Sequence, residues 1–378
     1  MFRKTFPKRT GFEQYHEQIG FGFHNIACDD GDPYWSEGVA YEFTLAEIET
    51  VEAATQELHD RCMETVTDII ASGDYPEGYR LSDESKALIE YSWNRDDTHI
   101  YGRFDLLYSG GTSVKMYEYN ADTPTALLEA AVAQWQWLED LKLPDQFNSI
   151  HDKLIARWKL AKTDVPKPML YLFATKKGPL EDWGTVEYIA DTAVQAGWDV
   201  HIEEIEAIGY DTATGDFVDR NFENIYHSFK LYPWEWMMRE EFGQFVRSSE
   251  SYWYEPAWKM LLSNKAILPV LWERYPNHPN LLPAYFQEHY QYLRKPILGR
   301  EGANIYRGGF LLDGSHVVPE YDDGYIFQEY APLPDFDGHH PVIGSWVVGD
   351  EAAGMGIRED RQLISGNGSH FVPHYFVN

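Results

Sequence analysis

Apolar residues recur at helical spacing along TLAEIETVEAATQELHDRCMETVTDIIASG, where Leu45, Ile48, Val51, Leu58, Cys62 and Val66 form one stripe. Thr44 followed by Glu47 supplies a capping box, so the pattern predicts one long amphipathic helix beginning there. The period then changes. IYGRFDLLYS and SVKMYEYNAD alternate as strands do and are separated by a glycine-bearing GGTS turn, which predicts a hairpin. Strict alternation puts Met116, Glu118 and Asn120 on one face and Tyr117 and Tyr119 on the other. TALLEAAVAQWQWLEDL, residues 125–141, returns to a helical period with Pro124 as its start signal. KPMLYLFAT, LEDWGTVEYIADTAVQAG and DVHIEEI then read as strand, helix closed by Gly197, and strand. That order predicts a small α/β lobe over about 165–230. From about residue 285 the chain turns to short strands broken by Gly and Pro, with neither an internal repeat nor a low-complexity segment.

The hairpin carries the first chemistry. If Ser109 pairs with Val114 across the turn, Asp105 stands opposite Glu118 and Arg103 opposite Asn120, all on one side. Opposed residues sit about 5 Å apart at Cβ, so two carboxylates there repel unless a positive charge lies between them. A divalent cation would serve. Two carboxylates and an amide oxygen, with neither sulfur nor imidazole, suit a hard ion such as Mg²⁺. The alternative is a solvated polar hairpin face.

Length and charge narrow the class. A chain of 378 residues is longer than one core ordinarily supports, so two or three packed lobes are expected, with an ordinary hydrophobic content of 44%. A net charge of -30 without a Lys/Arg cluster argues against a nucleic-acid or anionic-membrane partner. Solubility in a concentrated cytoplasm is the simpler reading of that acidity. Cys28 and Cys62 lack CxxC spacing and suit a reducing compartment without a disulfide. No apolar run approaches ~18 residues, and the basic opening leads into no signal-length core, so a cytoplasmic protein is expected. His59 and Cys62 have a spacing metals use, but with no third ligand nearby the pairing reads as coincidence. Trp35, Trp135, Trp137, Trp234 and Trp236 are expected mostly in the core.

Four downstream segments add to the hairpin. Lys265 precedes the apolar ILPVLW, and Lys295 is followed by Gly299, Arg300, Glu301 and Gly302. A lysine ahead of a glycine-bearing turn suits phosphate, because backbone N–H groups close over the same oxygens. No GxxxxGK[ST] exists in the chain, which excludes P-loop chemistry. IFQEYAPLP, with Gln328, Glu329 and Tyr330, is either a backbone edge for a purine or an interdomain connector. In AAGMGIRED, Gly354 and Gly356 lead to Arg358, which either enters a crowded site or pairs with Glu359 or Asp360.

RFDL, YEYNADTPT, KLYPWEW, NKAILPVLW, HPNLLPAYF, KPILGREGANI, IFQEYAPLP and GIRED together resemble the synthetase domain of the glutathionylspermidine synthase family, closest to its stand-alone acid–amine ligase branch. The match runs from about residue 10 to the C-terminus in eight ordered blocks. The resemblance implies an ATP-grasp fold of mixed α+β and α/β type, with a small preATP-grasp-like lobe and an ATP-grasp nucleotide-binding part over about 255–378. It implies ligation of a carboxylic acid to an amine with ATP and Mg²⁺ through an acyl-phosphate. By the same resemblance Asp105, Glu118 and Asn120 match metal ligands, and Arg103 and Arg358 the phosphate-side arginines. Lys265 and Lys295 match ATP-phosphate lysines, and Gly299 to Asn304 a mobile glycine-rich loop. Thr123 and Thr125 fall where the family has serines near glutathione. Glu181 and Asp182 match an acidic pair of the substrate site.

The departures from the pattern matter. The chain begins near the synthetase start, so no amidase half is expected. Trp236 stands where the family has a small polar residue, and NGSHF (Asn367 to Phe371) offers neither the lysine nor the acid placed there around the substrates. The acid and amine therefore stay open. Glu181 and Asp182 either attract a cationic amine or sit solvated at a helix N-terminus. The competing reading is a protein of this fold that binds or hydrolyses ATP without ligating.

Overall fold

The computed structural model describes residues 1–162, 168–366 and 368–378. Residues 165–167, which open the expected lobe, and Asn367 of NGSHF lie outside the described residues. A central antiparallel sheet runs in the order His370–Val372, Glu351–Asp360, His340–Val348, Tyr101–Tyr108, Val114–Asn120. The predicted hairpin thus pairs with strands from the last third of the chain. The long helix spans Leu45–Ser72, and Thr44 and Glu47 form the capping box. Ile48, Val51, Leu58, Cys62 and Val66 bury against one face of this sheet with Phe104, Met116, Tyr119 and Ile357. Leu45, counted with that stripe, is instead 40% exposed, at the first position of the helix.

Alternation fails at one point in the hairpin. Asp105 faces Glu118 and Arg103 faces Asn120, but Leu106 faces Met116 and Tyr108 faces Val114, with a bulge between. The pairing expected at Ser109 is therefore displaced by one residue, and the bulge restores the register at the site end. The extra residue also flips a side chain. Met116 joins Tyr119 in the core, while Tyr117 joins Glu118 on the cavity side.

Residues 125–141 also depart from expectation. Ala126 has φ 66°, the helix starts only at Leu127, and it widens into a π-helical turn, Glu129–Ala133, before the α-helix Gln134–Leu141. Thr123, Pro124 and Thr125 are left in an irregular loop against the cavity.

The small lobe is a parallel sheet in the order Tyr252–Tyr254, His227–Lys230, Met169–Ala174, Asp199–Glu204. Its edge strand lies beyond residue 230. The helix Leu180–Gln195 joins the central strand Met169–Ala174 to the other edge strand, Asp199–Glu204, and Gly197 follows with φ 90°, as a left-handed helix end requires. A further antiparallel sheet, ordered Ala284–Tyr285, Tyr325–Gln328, Leu293–Pro296, Tyr306–Arg307, Phe310–Leu311, abuts the hairpin. Tyr117 Oη donates to the Ala331 carbonyl at 2.6 Å, and Gln328 Nε2 to the Met116 carbonyl at 3.2 Å. Cys28 and Cys62 are free, and among the described residues no helix is long and apolar enough to cross a membrane. Trp35, Trp137 and Trp234 are buried; Trp135 and Trp236 are not.

Candidate active site

Where the hairpin, the small lobe and the 284–328 sheet meet, they enclose a cavity of about 340 Å³. One wall is charged, with its two carboxylates paired to cations. Arg103 donates from Nε to Asp105 Oδ1 at 2.8 Å, and Arg358 from Nη2 to Asp105 Oδ2 at 3.0 Å. Lys265 Nζ lies 3.0 Å from Glu118 Oε2, and Asn120 Nδ2 donates to Glu118 Oε1 at 3.3 Å. The positive charge that two facing carboxylates demand is thus supplied by side chains. Arg358 pairs with Asp105 rather than with Glu359 or Asp360; Glu359 is taken by Arg3, and Asp360 by Ser369.

Glycines make this wall possible. Arg358 and Asp105 lie on strands separated by His340–Val348, and Gly344 of that strand is the register partner of Asp105. A Cβ at Gly344 would lie 2.8 Å from Arg103 Cδ, so only glycine lets the guanidinium lie flat there. A Cβ at Gly356 would meet the Phe371 ring at 2.8 Å.

Burial opposes the Glu118 charge, but Lys265 and then Lys295 outweigh it and hold its carboxyl down at about 2. The opposite happens to Lys295. Burial pushes its ammonium down to about 8, and the Glu118 charge offsets only part of that. Lys295 Nζ donates to Gln328 Oε1 at 2.7 Å, and Lys265 Nζ to the Gly299 carbonyl at 2.6 Å. Lys265 therefore ties the glycine-bearing turn to the carboxylate wall.

The far wall is acidic. Glu181 and Asp182 occupy the first turn of the helix Leu180–Gln195 and also line the cavity. Burial, then Glu181 and Glu301, push the Asp182 carboxyl up to about 7. Between the walls Arg300 donates to Thr123 Oγ1 at 2.7 Å and to Glu235 Oε1 at 2.8 Å, with its guanidinium 5.8 Å from the Trp236 ring.

The sequence profile described as "Glutathionylspermidine synthase preATP-grasp" matches residues 3–377. The chain belongs to this family. As a glutathionylspermidine synthase-family protein it is an ATP-dependent carbon–nitrogen ligase by class, and the match leaves no part of these residues to a separate amidase domain. It is 50% identical to a Haemophilus influenzae protein described as a "Putative acid--amine ligase", over 98% of both chains. It is 28% identical to trypanothione synthetase of Crithidia fasciculata, over 84% of this chain and 53% of that one. It is 26% identical to the bifunctional glutathionylspermidine synthetase/amidase of Escherichia coli, over 90% of this chain and 59% of that one. The family chain thus spans a little over half the length of these last two relatives. A glutathione synthetase-like effector of Globodera pallida, solved in apo form, shares the fold with TM-score 0.57 and 8% identity, over 97% of this chain and 96% of that one.

Within this synthase-family chain the cavity gathers Arg103, Asp105, Glu118, Asn120, Thr123, Thr125, Glu181, Asp182, Trp236, Lys265, Lys295, Gly299, Arg300, Glu301, Gly302, Tyr330 and Arg358. Two of the proposed nucleotide residues do not line it. Gln328 lies behind the wall holding Lys295, and Glu329 is exposed because its strand ends there and its backbone N–H turns to the Pro283 carbonyl. Sequence reasoning missed Tyr117, Gly344, Glu235 and the buried Glu129. Gly344 leaves a trace as a lone glycine within an apolar strand; Glu129 leaves only a carboxylate on an apolar helical face. Asp105, Glu118 and Asn120 present hard oxygen donors on one wall, with the Glu118 carboxyl ionised, and this set fits Mg²⁺.

Proposed function

We propose that this protein joins a carboxylic acid to an amine in an ATP- and Mg²⁺-dependent reaction through an acyl-phosphate. The observation that carries the reading is the division of one cavity into a wall of paired Arg, Lys and carboxylate groups and a facing acidic wall. The first suits phosphates; the second suits a cationic amine.

In this reading ATP is a co-substrate, bound at Lys265, Lys295 and the turn Gly299–Gly302, with its base toward Tyr330. Asp105, Glu118 and Asn120 would hold Mg²⁺, whose charge when bound offsets that of the phosphate oxygens. Arg103 and Arg358, which both line the cavity beside Asp105, would face the transferring phosphoryl group, where charge spreads. Thr123 and Thr125 orient the acid. Arg300, reaching from the turn to Thr123, links the acid site to the phosphate site and helps exclude water from the activated acyl group. Glu181 and Asp182 hold the amine. Trp236 fills space on this side, so a peptide such as glutathione and an amine such as spermidine are candidates to test against other acids and amines.

ADP release with Mg-ATP, alone and with pooled amino acids, small peptides and polyamines, tests the reading beside Asp105→Asn. Stimulation by the pool that the variant lacks is the expected result, with an amide among the products by mass. ADP release that no pool stimulates would favour an ATPase of the same fold, and a phosphorylated acid would make the protein a kinase.

A further inference from the structure

Tyr117 brings to the cavity a hydroxyl whose single proton is already committed. The bulge beside Asp105 turns its side chain to the cavity with Glu118, and Oη donates to the Ala331 carbonyl at 2.6 Å. Both residues line the cavity. A phenol has one O–H, so the lone pairs that remain on Oη can only accept. Burial raises the phenol above its ordinary value, so the proton stays in place at working pH. The hydroxyl is also held in position. Its neighbour Met116 donates its N–H to the Asn280 carbonyl at 2.9 Å, and the Met116 carbonyl accepts from Gln328 Nε2 at 3.2 Å. The connector after Gln328 is pinned in turn, by the Glu329 N–H on the Pro283 carbonyl at 2.7 Å and by the Arg307 guanidinium 4.1 Å from the Tyr330 ring. Lys295 Nζ lies 5.5 Å from the Tyr117 ring, so the tyrosine stands between that lysine and the connector.

We propose that Tyr117 selects the base of the nucleotide, accepting at Oη from the exocyclic amino group of adenine and disfavouring purines that carry an oxygen there. This rests on the reading above that seats ATP in this cavity with its base toward Tyr330. Oη and the Ala331 carbonyl oxygen, 2.6 Å apart, offer the base acceptors only. Leu293, Ile305, Pro332 and Leu333 also line the cavity, and their side chains add no donor. The 6-amino group of adenine brings N–H donors to such an edge. The 6-oxo group of hypoxanthine or guanine brings another acceptor, so that oxygen and Oη would both give up water without gaining a partner. An unmade bond of this kind costs more than a made one contributes, which is why a site built around one hydrogen bond rejects the analogue that lacks it.

Calorimetric titration of the whole protein with the Mg²⁺ complexes of ATP, inosine triphosphate and purine riboside triphosphate tests this beside Tyr117→Phe. The three nucleotides carry an amino group, an oxygen and a hydrogen at the same ring position. The wild type is expected to bind ATP about tenfold or more tighter than either of the others. Tyr117→Phe keeps the ring; it should weaken ATP about tenfold and leave purine riboside triphosphate unchanged, so that the preference contracts. Equal weakening of all three would mean that the hydroxyl only braces the connector, and would overturn the proposal. So would a wild type that binds the three alike or binds none of them. Amide formation is scored separately: a preference for ATP that Tyr117→Phe loses, in a protein that forms no amide, sinks the ligase reading and supports Tyr117 as the base selector.

Discussion

Arg358 reaches across the strand His340–Val348 to place Nη2 3.0 Å from Asp105 Oδ2, and on that strand Gly344, the register partner of Asp105, leaves room for the Arg103 side chain that holds the other carboxylate oxygen. Gly344→Ala would force Arg103 Cδ aside from a 2.8 Å approach. We expect Mg-ATP turnover to fall about tenfold or more with Tm lowered by a few degrees, roughly the result of one misplaced positioning group. Unchanged turnover would separate the Arg103–Asp105–Arg358 cluster from the chemistry.

Asp105→Asn and Glu118→Gln remove charge without volume. Both should abolish Mg-dependent ADP release while circular dichroism stays native, since the two side chains serve a charged wall rather than a core. Near-normal turnover in either variant would remove the hairpin from the metal-binding reading.

A phosphate contact at Lys295, as proposed, would give ATP binding a pH limit. Its ammonium is held down to about 8 by burial, so it is charged below that pH and neutral above it. A phosphate contact that needs the charge weakens as pH rises, by about tenfold for each unit beyond 8. Calorimetric ATP titrations at two pH values either side of that point check this, and a flat affinity would argue that Lys265 alone carries the contact.

Lys259 and Glu255 form a fully buried pair at 2.6 Å, and Glu255 also accepts from the Ile100 and Tyr101 backbone N–H groups. Lys259→Met strands that carboxylate, and about 3–5 kcal/mol of stability should be lost in urea unfolding. A loss under about 1 kcal/mol would show that Glu255 simply takes a proton.

Acid should unfold the protein through its buried histidines. His16, His99 and His374 are each lowered from 6.5 to about 3 by burial. The unfolded chain takes up these protons first, so stability is full above pH 6.5 and is lost progressively as pH falls toward 3. His16 lies among the rings of Phe21 and Trp35, and among the described residues neither of its nitrogens has a hydrogen-bond partner. His16→Phe should therefore flatten the decline of Tm between pH 6.5 and 4.5. An identical slope in the variant would exclude His16 as a source.

Local chemistry was legible in the sequence. The capping box at Thr44, the left-handed stop at Gly197 and the hairpin turn follow from single residues and their immediate neighbours, so pattern alone locates them. The pairing of Asp105 with Glu118 agrees with the reading from the turn only because the bulge beside Asp105 offsets a one-residue slip at the turn itself. Three features were not legible, and each depends on residues remote in the chain. The bulge that turns Tyr117 into the cavity and Met116 into the core answers to the helix Leu45–Ser72 on one side and Ala331 on the other. The Arg358–Asp105 contact depends on a strand inserted between them from residues 340–348. The buried contact of Tyr34 with Glu129 joins residues 95 apart in the chain. Residue type and spacing determine which groups a chain can offer; burial and long-range pairing determine their neighbours, and with them charge, proton affinity and reach.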